Sequence, residues 1–479
     1  MNRATARSGT PESPPFADLP IRLEPLARAL DAAPLDVALH ARMRDALHVA
    51  GDHDGFTAHQ LAVAALDALD GTPPATRALA LYNLATVYAM KGRHDDAVRW
   101  YQHTLAVNPA LASAHQNLAA LYATLGRATE ACAHREQAYR LQRVFVEPAL
   151  EGDGDGDTRR LLIVGVGGGT GNVPLDALLP FRTTTRIKYA IDYAADAEDA
   201  QLPPHDLVFN AIGDPDIAAP LAARLARFAS RSAVPVLNPP GAIAHTHRDR
   251  IAARLAALPD VLVPPCVRIE DPRATFDSLL RRLDREGVAF SLLLRPAGAH
   301  GGDGVTRHTA PDTLAAALAR LDGPAYATAY RDTRSPDGHF RKYRAIFVDR
   351  VPYPYHLAIS SHWLVHYFSA DMTSAQWKLD EERRFLDDPR AALGDTALRA
   401  LAAIGRQLDL DYGGVDFALA DDGRVVVFEA NATMLVHREA ADGPLAHKNP
   451  YIERIAHAFA RMLDARRGTS PSRPTHAQP

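Results

Sequence analysis

The stretch Gly414-Val415-Asp416-Phe417-Ala418-Leu419-Ala420-Asp421-Asp422-Gly423-Arg424-Val425-Val426-Val427-Phe428-Glu429-Ala430-Asn431 reads as a β-hairpin, because two apolar runs flank an Asp-Gly pair. With Asp422 and Gly423 as a two-residue turn, Asp421 faces Arg424 and Asp416 falls opposite Glu429. Facing side chains lie about 4.5–5.5 Å apart at Cβ, so two carboxylates there repel unless a pKa rises or a cation binds. Asn431 shares the face of Glu429 because side chains alternate along a strand. Oxygen ligands of this kind suit magnesium, which one or two carboxylates hold together with nucleotide phosphates. A solvated hairpin is the alternative: a three-residue turn would slip the register by one and separate the acids.

Outward from the hairpin, the chain is ordinary for a folded protein. Its 479 residues suffice for about three domains. A net charge of −4 gives no electrostatic reason to expect nucleic acid or an anionic membrane as partner. No apolar run approaches the ~20 residues of a membrane span, and residues 1–16 lack a signal peptide's apolar segment. The two cysteines, Cys132 and Cys266, make neither a disulfide framework nor a zinc site by themselves. A cytoplasmic protein is expected.

Residues 1–20 and 468–479 are rich in Pro, Ser and Thr and are expected to be disordered. Residues 25–147 read as helical repeats. Asn83, Leu84, Ala85, Tyr88, Gly92, Arg93 and Ala97 recur 34 residues later as Asn117, Leu118, Ala119, Tyr122, Gly126, Arg127 and Ala131. That period and residue set resemble the tetratricopeptide repeat, with residues 36–70 as a degenerate first pair. Such an array either offers a groove to a peptide or protein partner or is a structural, dimerising appendage.

A charged, glycine-rich linker, 148–157, separates these repeats from alternating strands and helices over 158–240. Strands at 161–166, 187–191, 207–212 and 234–237, with a helix at 217–228, imply a parallel doubly wound sheet. Glycines 165, 167, 168, 169 and 171, with Asp192 about 20 residues on, invite a dinucleotide reading. No window there has glycine at the first, third and sixth positions, and a helix starts only weakly after it. Lining a substrate site at the strand ends is the other reading.

From 241 to 467 an α+β pattern follows. A strand at 291–295 ends in Arg295 and leads into Pro296-Ala297-Gly298-Ala299-His300-Gly301-Gly302-Asp303-Gly304-Val305. Such a loop folds its amides over phosphates at little steric cost, or is a plain hairpin loop. Arg248 and Arg250 open a helix before it; a strand at 326–330, the segment Arg341-Lys342-Tyr343-Arg344 and the acidic hairpin come after.

In this order the segments over 158–465 resemble the ATP-grasp superfamily of ligases. The resemblance implies a multidomain chain: an all-α repeat region, an α/β pre-ATP-grasp domain and an α+β ATP-grasp domain. It implies that Asp416, Glu429 and Asn431 hold magnesium, with manganese as an alternative, against ATP. Gly301, Gly302 and Gly304, beside His300, would cover the phosphates, and Thr328, Ala329 and Tyr330 would meet adenine. Arg344 would contact the transferred phosphoryl group. Where the family usually has two lysines, this chain has Arg295 in the strand and Arg248 or Arg250 in the helix; arginine keeps the charge and offers a planar fork.

The activity implied is joining a small-molecule or peptide carboxylate to an amine through an acyl phosphate, catalysed by charge neutralisation and alignment. The alternatives are a non-catalytic nucleotide-binding scaffold and a phosphotransferase, and a homodimer stays open. His356 and His366 are candidate substrate contacts or proton acceptors; Lys378, His437 and Arg438 are candidates to bind an acidic substrate group.

Overall fold

The computed structural model describes residues 23–150, 158–168, 171–180, 182–272, 275–299 and 302–467. The expectations on both termini, on 151–157, and on His300 and Gly301 lie outside the described residues. The chain divides into two compact units, Met1–Arg143 and Val144–Pro479. No described helix is long and apolar enough to cross a membrane.

The first unit is helical: α1 (Glu24–Ala32), α2 (Val37–Ala50), α3 (His53–Ala68), α4 (Pro74–Met90), α5 (His94–Val107), α6 (Ala112–Thr124) and α7 (Ala128–Leu141). Side-chain caps start two of them, Asp36 accepting from the Leu39 amide and Asp52 from the Gly55 amide. The hairpins α2–α3, α4–α5 and α6–α7 turn at Gly51, Gly92 and Gly126, with φ of +78°, +73° and +75°, where a side chain would be strained. The stretch 36–70 is thus a helical hairpin, as its sequence suggests. Its glycine stands 41 residues before Gly92, whereas Gly92 and Gly126 are 34 apart, so this hairpin falls outside the 34-residue period.

The same offsets expose a pairing that the 34-residue period hides. In the outer hairpins a histidine of one helix meets a histidine of the next. The Nδ1 atoms of His40 and His59 are 2.9 Å apart, and those of His115 and His134 are 2.8 Å apart. The corresponding positions of the middle hairpin are the buried Leu81 and Trp100. His40 Nε2 lies 2.8 Å from the Pro34 carbonyl and His115 Nε2 lies 3.1 Å from the Pro109 carbonyl. A carbonyl only accepts, so Nε2 of His40 and His115 carries hydrogen and, in the neutral ring, Nδ1 accepts from the partner imidazole. Protonating the pair sets two N–H groups head to head. Burial pushes the His40 imidazole down, and burial with the adjacent His40 pushes His59 well down.

The second unit holds three sheets. Strands β1 (Val144–Glu147), β2 (Arg159–Gly165), β3 (Thr184–Ala190), β4 (Leu207–Asn210) and β5 (Val236–Leu237) form the first, in the order β1-β3-β2-β4-β5. β2 to β5 are parallel, as the alternation of elements implies, and β1 adds an antiparallel edge. Residues 144–147 therefore pair with this sheet rather than with the helical repeats; the four-residue run Val-Phe-Val-Glu is too short to announce a strand. The second sheet, ordered β7-β10-β8-β9, comprises β7 (Cys266–Ile269), β8 (Leu292–Pro296), β9 (Thr306–His308) and β10 (Ala325–Ala329). The third, ordered β12-β11-β13-β14-β6, comprises β6 (Val261–Leu262), β11 (Phe340–Val348), β12 (Val351–Ser360), β13 (Tyr412–Leu419) and β14 (Val425–Asn431). One core runs through the first and third sheets, whereas the second packs on a smaller core of its own.

Asn238 joins the first sheet to the third. Fully buried at φ +49°, it donates through Nδ2 to the Tyr412 carbonyl at 2.9 Å and accepts through Oδ1 from the Tyr412 amide at 2.9 Å. Its own amide donates to Asp411 Oδ2 at 2.7 Å, and its carbonyl accepts from Asn210 Nδ2 at 3.0 Å. One side chain thus serves β13 as a neighbouring strand would.

The histidine pairs make the helical unit sensitive to acid. The depressed folded pKa values of His40, His59 and His134 leave their stabilisation complete above the unfolded value of about 6.5 and drain it as pH falls below that. The denaturant midpoint of the intact protein, followed through helical circular dichroism, should fall between pH 7.5 and pH 5, and His40→Leu with His59→Leu should flatten part of that slope.

Candidate functional site

The acidic hairpin brings its carboxylates together by two departures that cancel. The turn is a three-residue loop: the Gly423 amide donates to the Ala420 carbonyl at 2.9 Å, the Ala420 amide donates to the Arg424 carbonyl at 2.9 Å, and Gly423 has φ +80°. Leu419 accordingly pairs with Val425 and Phe417 with Val427, one residue off the register that a two-residue turn would set. A bulge then places Phe428 as an extra residue, and Asp416 meets Glu429 after all. The expected pairing stands, but its expected cause, a two-residue turn, is corrected.

Cations occupy both carboxylates. Arg344, on β11 and opposite Asp416 across the strand pair, donates from Nε at 2.6 Å and from Nη2 at 2.9 Å, and Lys342 Nζ lies 3.2 Å from the same carboxylate. Glu429 is hydrogen-bonded by Arg248, and Arg295 Nη1 stands 3.9 Å from its Oε2. Although burial opposes it, Arg344 and Lys342 hold the Asp416 carboxyl far below the usual range, and Arg248 and Arg295 hold Glu429 down. Neither acid shares a proton: four cations keep the pair ionised.

Asn431 Nδ2 donates to Glu429 Oε1 at 2.6 Å, while its Oδ1 accepts from the Thr433 amide at 2.9 Å and the Thr433 hydroxyl at 3.1 Å. In this arrangement Asn431 orients Glu429. Among the described residues no three His, Cys, Asp or Glu side chains gather into a metal cluster. Two ionised carboxylates and an amide still fit magnesium, which takes its remaining ligands from phosphate and water. Four cations against two acids leave positive charge for an anion.

These residues line one cavity of about 440 Å³, bounded by the second and third sheets and the loop following β4. Arg344, Arg295, Arg248, Gly302, Thr328, Ala329, Tyr330, Asp416, Glu429 and Asn431 all border it. Arg250, the other candidate for the helix cation, is exposed; its guanidinium turns to the Ala244 carbonyl at 3.4 Å, away from the lining. Arg248, at the first position of the helix Arg248–Leu255, points inward instead. The glycine-rich loop joins β8 to the antiparallel β9, and Arg295 ties its start by donating from Nη2 to the Ala299 carbonyl at 2.6 Å. Gly304 lies outside the lining; it has φ +66°, and a Cβ there would come within 3.1 Å of Pro296.

His356, His366 and His437 border the cavity, whereas Lys378 and Arg438 do not. Lys378 Nζ donates to the Ala370 carbonyl at 2.9 Å, and Arg438 pairs with Glu453 at 2.9 Å. Lys342 is the residue that sequence reasoning passed over. Strand alternation carries the signal, since Lys342 and Arg344 share a face of β11. Asp214, which caps the short helix Pro215–Ala218 after β4, and Asp216 within that helix also line the cavity.

The glycine loop after β2 does not fit a dinucleotide. Its Gly167 amide donates to both Asp192 oxygens, at 3.0 and 3.2 Å, so the acid expected at a ribose is used inside the fold. No α-helix lies between β2 and β3 among the described residues, leaving no helix N-terminus for a pyrophosphate.

No family model matches the chain, and no curated protein matches it. Solved structures do. D-alanyl-alanine synthetase A from Vibrio cholerae is 13% identical with a TM-score of 0.42, over 66% of this chain and 99% of that one. VanG D-Ala:D-Ser ligase from Enterococcus faecalis is 11% identical with a TM-score of 0.40, over 64% and 99%. The ATP-grasp ligase PsnB, complexed with a precursor peptide and AMPPNP, is 15% identical with a TM-score of 0.34, over 63% and 98%.

Replacing Arg248 should separate the two helix cations. Arg248→Ala is expected to weaken binding of a non-hydrolysable ATP analogue by roughly tenfold or more, and Arg250→Ala to leave it within about twofold; calorimetric titration reads both. The solved proteins that this chain resembles are named as ligases or synthetases.

Proposed function

We propose that the second unit is an ATP- and magnesium-dependent carboxylate–amine ligase that works through an acyl phosphate. One observation carries the reading: Asp416 faces Glu429 across β13 and β14, inside a cavity where Arg248, Arg295, Lys342 and Arg344 surround the pair. Two ionised acids alone suit a cation, and surplus arginines alone suit an anion. Both together suit a metal–polyphosphate.

Asp416, Glu429 and Asn431 would hold magnesium; Arg248 and Arg295 would hold phosphate oxygens, with the β8–β9 loop over them. Bound ATP would supply the phosphoryl group that activates a carboxylate, and magnesium would neutralise its charge. The chain's own part is positional. Arg344, anchored by Asp416 at two points, presents a fixed positive charge at the reacting end. Asn431 fixes the Glu429 carboxylate, and Lys342 keeps Asp416 ionised. The separate core of the second sheet suits a lobe that closes on substrates and excludes water. For the first unit we propose recruitment of a peptide or protein partner.

Release of ADP in the presence of magnesium, ATP, a carboxylate and an amine tests the reading. Glu429→Gln and Asp416→Asn should each lower turnover at least about a hundredfold while the circular dichroism spectrum stays that of the parent. Full activity in both variants would remove the metal assignment.

A further inference from the structure

One end of the cavity carries apolar surface that the nucleotide site does not use. Phe368 is 69% exposed and Leu435 39%, yet both border the cavity rather than standing alone on the surface. Phe368 stacks on His437 at 5.9 Å between ring centres, with 27° between the planes. His437 is fixed from both sides: its Nδ1 lies 3.1 Å from the Tyr355 hydroxyl and its Nε2 lies 3.3 Å from Glu439, which also accepts from the buried Lys448 at 2.6 Å. The His437 ring is therefore held in place before anything binds. His366 has its ring 5.6 Å from Phe368, and Tyr367 beside it stacks at 4.5 Å on His356, the residue of β12 paired with Arg344, so the apolar end adjoins the reacting end.

We propose that Phe368, Leu435 and the fixed ring of His437 form the side-chain subsite for the carboxylate substrate, and that this substrate is an acid with a bulky apolar, preferably aromatic, group. The inference rests on the ligase reading. Its reasoning is the hydrophobic effect applied at a charged site. Apolar surface left open beside Lys342 and Arg344 gains free energy only when a ligand covers it, and an aromatic ring gains further by offset stacking on Phe368. Such a ligand presents its carboxylate to the two cations while its side chain lies on the collar. A small or acidic side chain would leave the collar wet or place charge against it.

Hydroxylamine, which traps an acyl phosphate as a hydroxamate, makes the test independent of the natural amine. With magnesium and ATP, hydroxamate formation is measured for phenylalanine, leucine, alanine and aspartate, each free and as the C-terminal residue of a dipeptide. Phenylalanine and leucine should exceed alanine and aspartate in kcat/KM by roughly tenfold or more. Phe368→Ala and Leu435→Ala should erase most of that preference without lowering Tm, since both side chains are solvent-exposed. Equal or better reaction of alanine or aspartate overturns the inference and leaves the ligase reading standing, as does a preference that survives both substitutions. A Phe368→Ala effect that follows the side chain of an added amine instead overturns the assignment to the acid. No hydroxamate from any acid, with the ATP analogue still bound, overturns the ligase reading and this inference with it.

Discussion

Everything at the site depends on holding two carboxylates, Asp416 and Glu429, opposite each other inside the protein. Asp416 is only 3% exposed, and an uncompensated pair there would protonate or push the strands apart. The chain compensates with positive charge on every side: Arg344 and Lys342 from β11, Arg295 from β8, Arg248 from a helix start. Under the proposed function, the four cations that make the acids tolerable here would turn to phosphate as magnesium takes the acids.

The remainder of the second unit holds these four sources of charge in register. Asn238 locks the first sheet to the start of β13 through four buried hydrogen bonds, so the short helix that Asp214 caps and that carries Asp216 stays against the cavity. Asp216 in turn reaches the second sheet, where Arg268 and the Tyr326 hydroxyl donate to it, the latter at 2.9 Å. That sheet is otherwise packed on its own core. Under the proposed function, this separately packed lobe is the part that would close on substrates.

Much of this was legible in the sequence, for physical reasons that differ from element to element. Alternation of apolar strands and helices marked the parallel sheet, and the Asp-Gly pair marked the hairpin. The pairing of Asp416 with Glu429 was foreseen through a two-residue turn, yet it arises from a three-residue loop whose slip Phe428 reverses. Turn length and bulge are set by tertiary packing, which local propensity does not contain. Arg248 and Arg250 could not be separated because the phase of a helix start is not written in two arginines. Lys342 could have been found from its spacing to Arg344. The histidine pairs were hidden by seven extra residues between the first two hairpins, which break the 34-residue period.

Magnesium-dependent binding of a non-hydrolysable ATP analogue is the most direct measure of whether this carboxylate pair is a metal–nucleotide site. Calorimetric titration of the parent and of Asp416→Asn, each with and without magnesium, should show tight binding to the parent only when the metal is present, and loss of that dependence in the variant. Equal affinity in all four titrations, or binding unaffected by Asp416→Asn, would contradict the account.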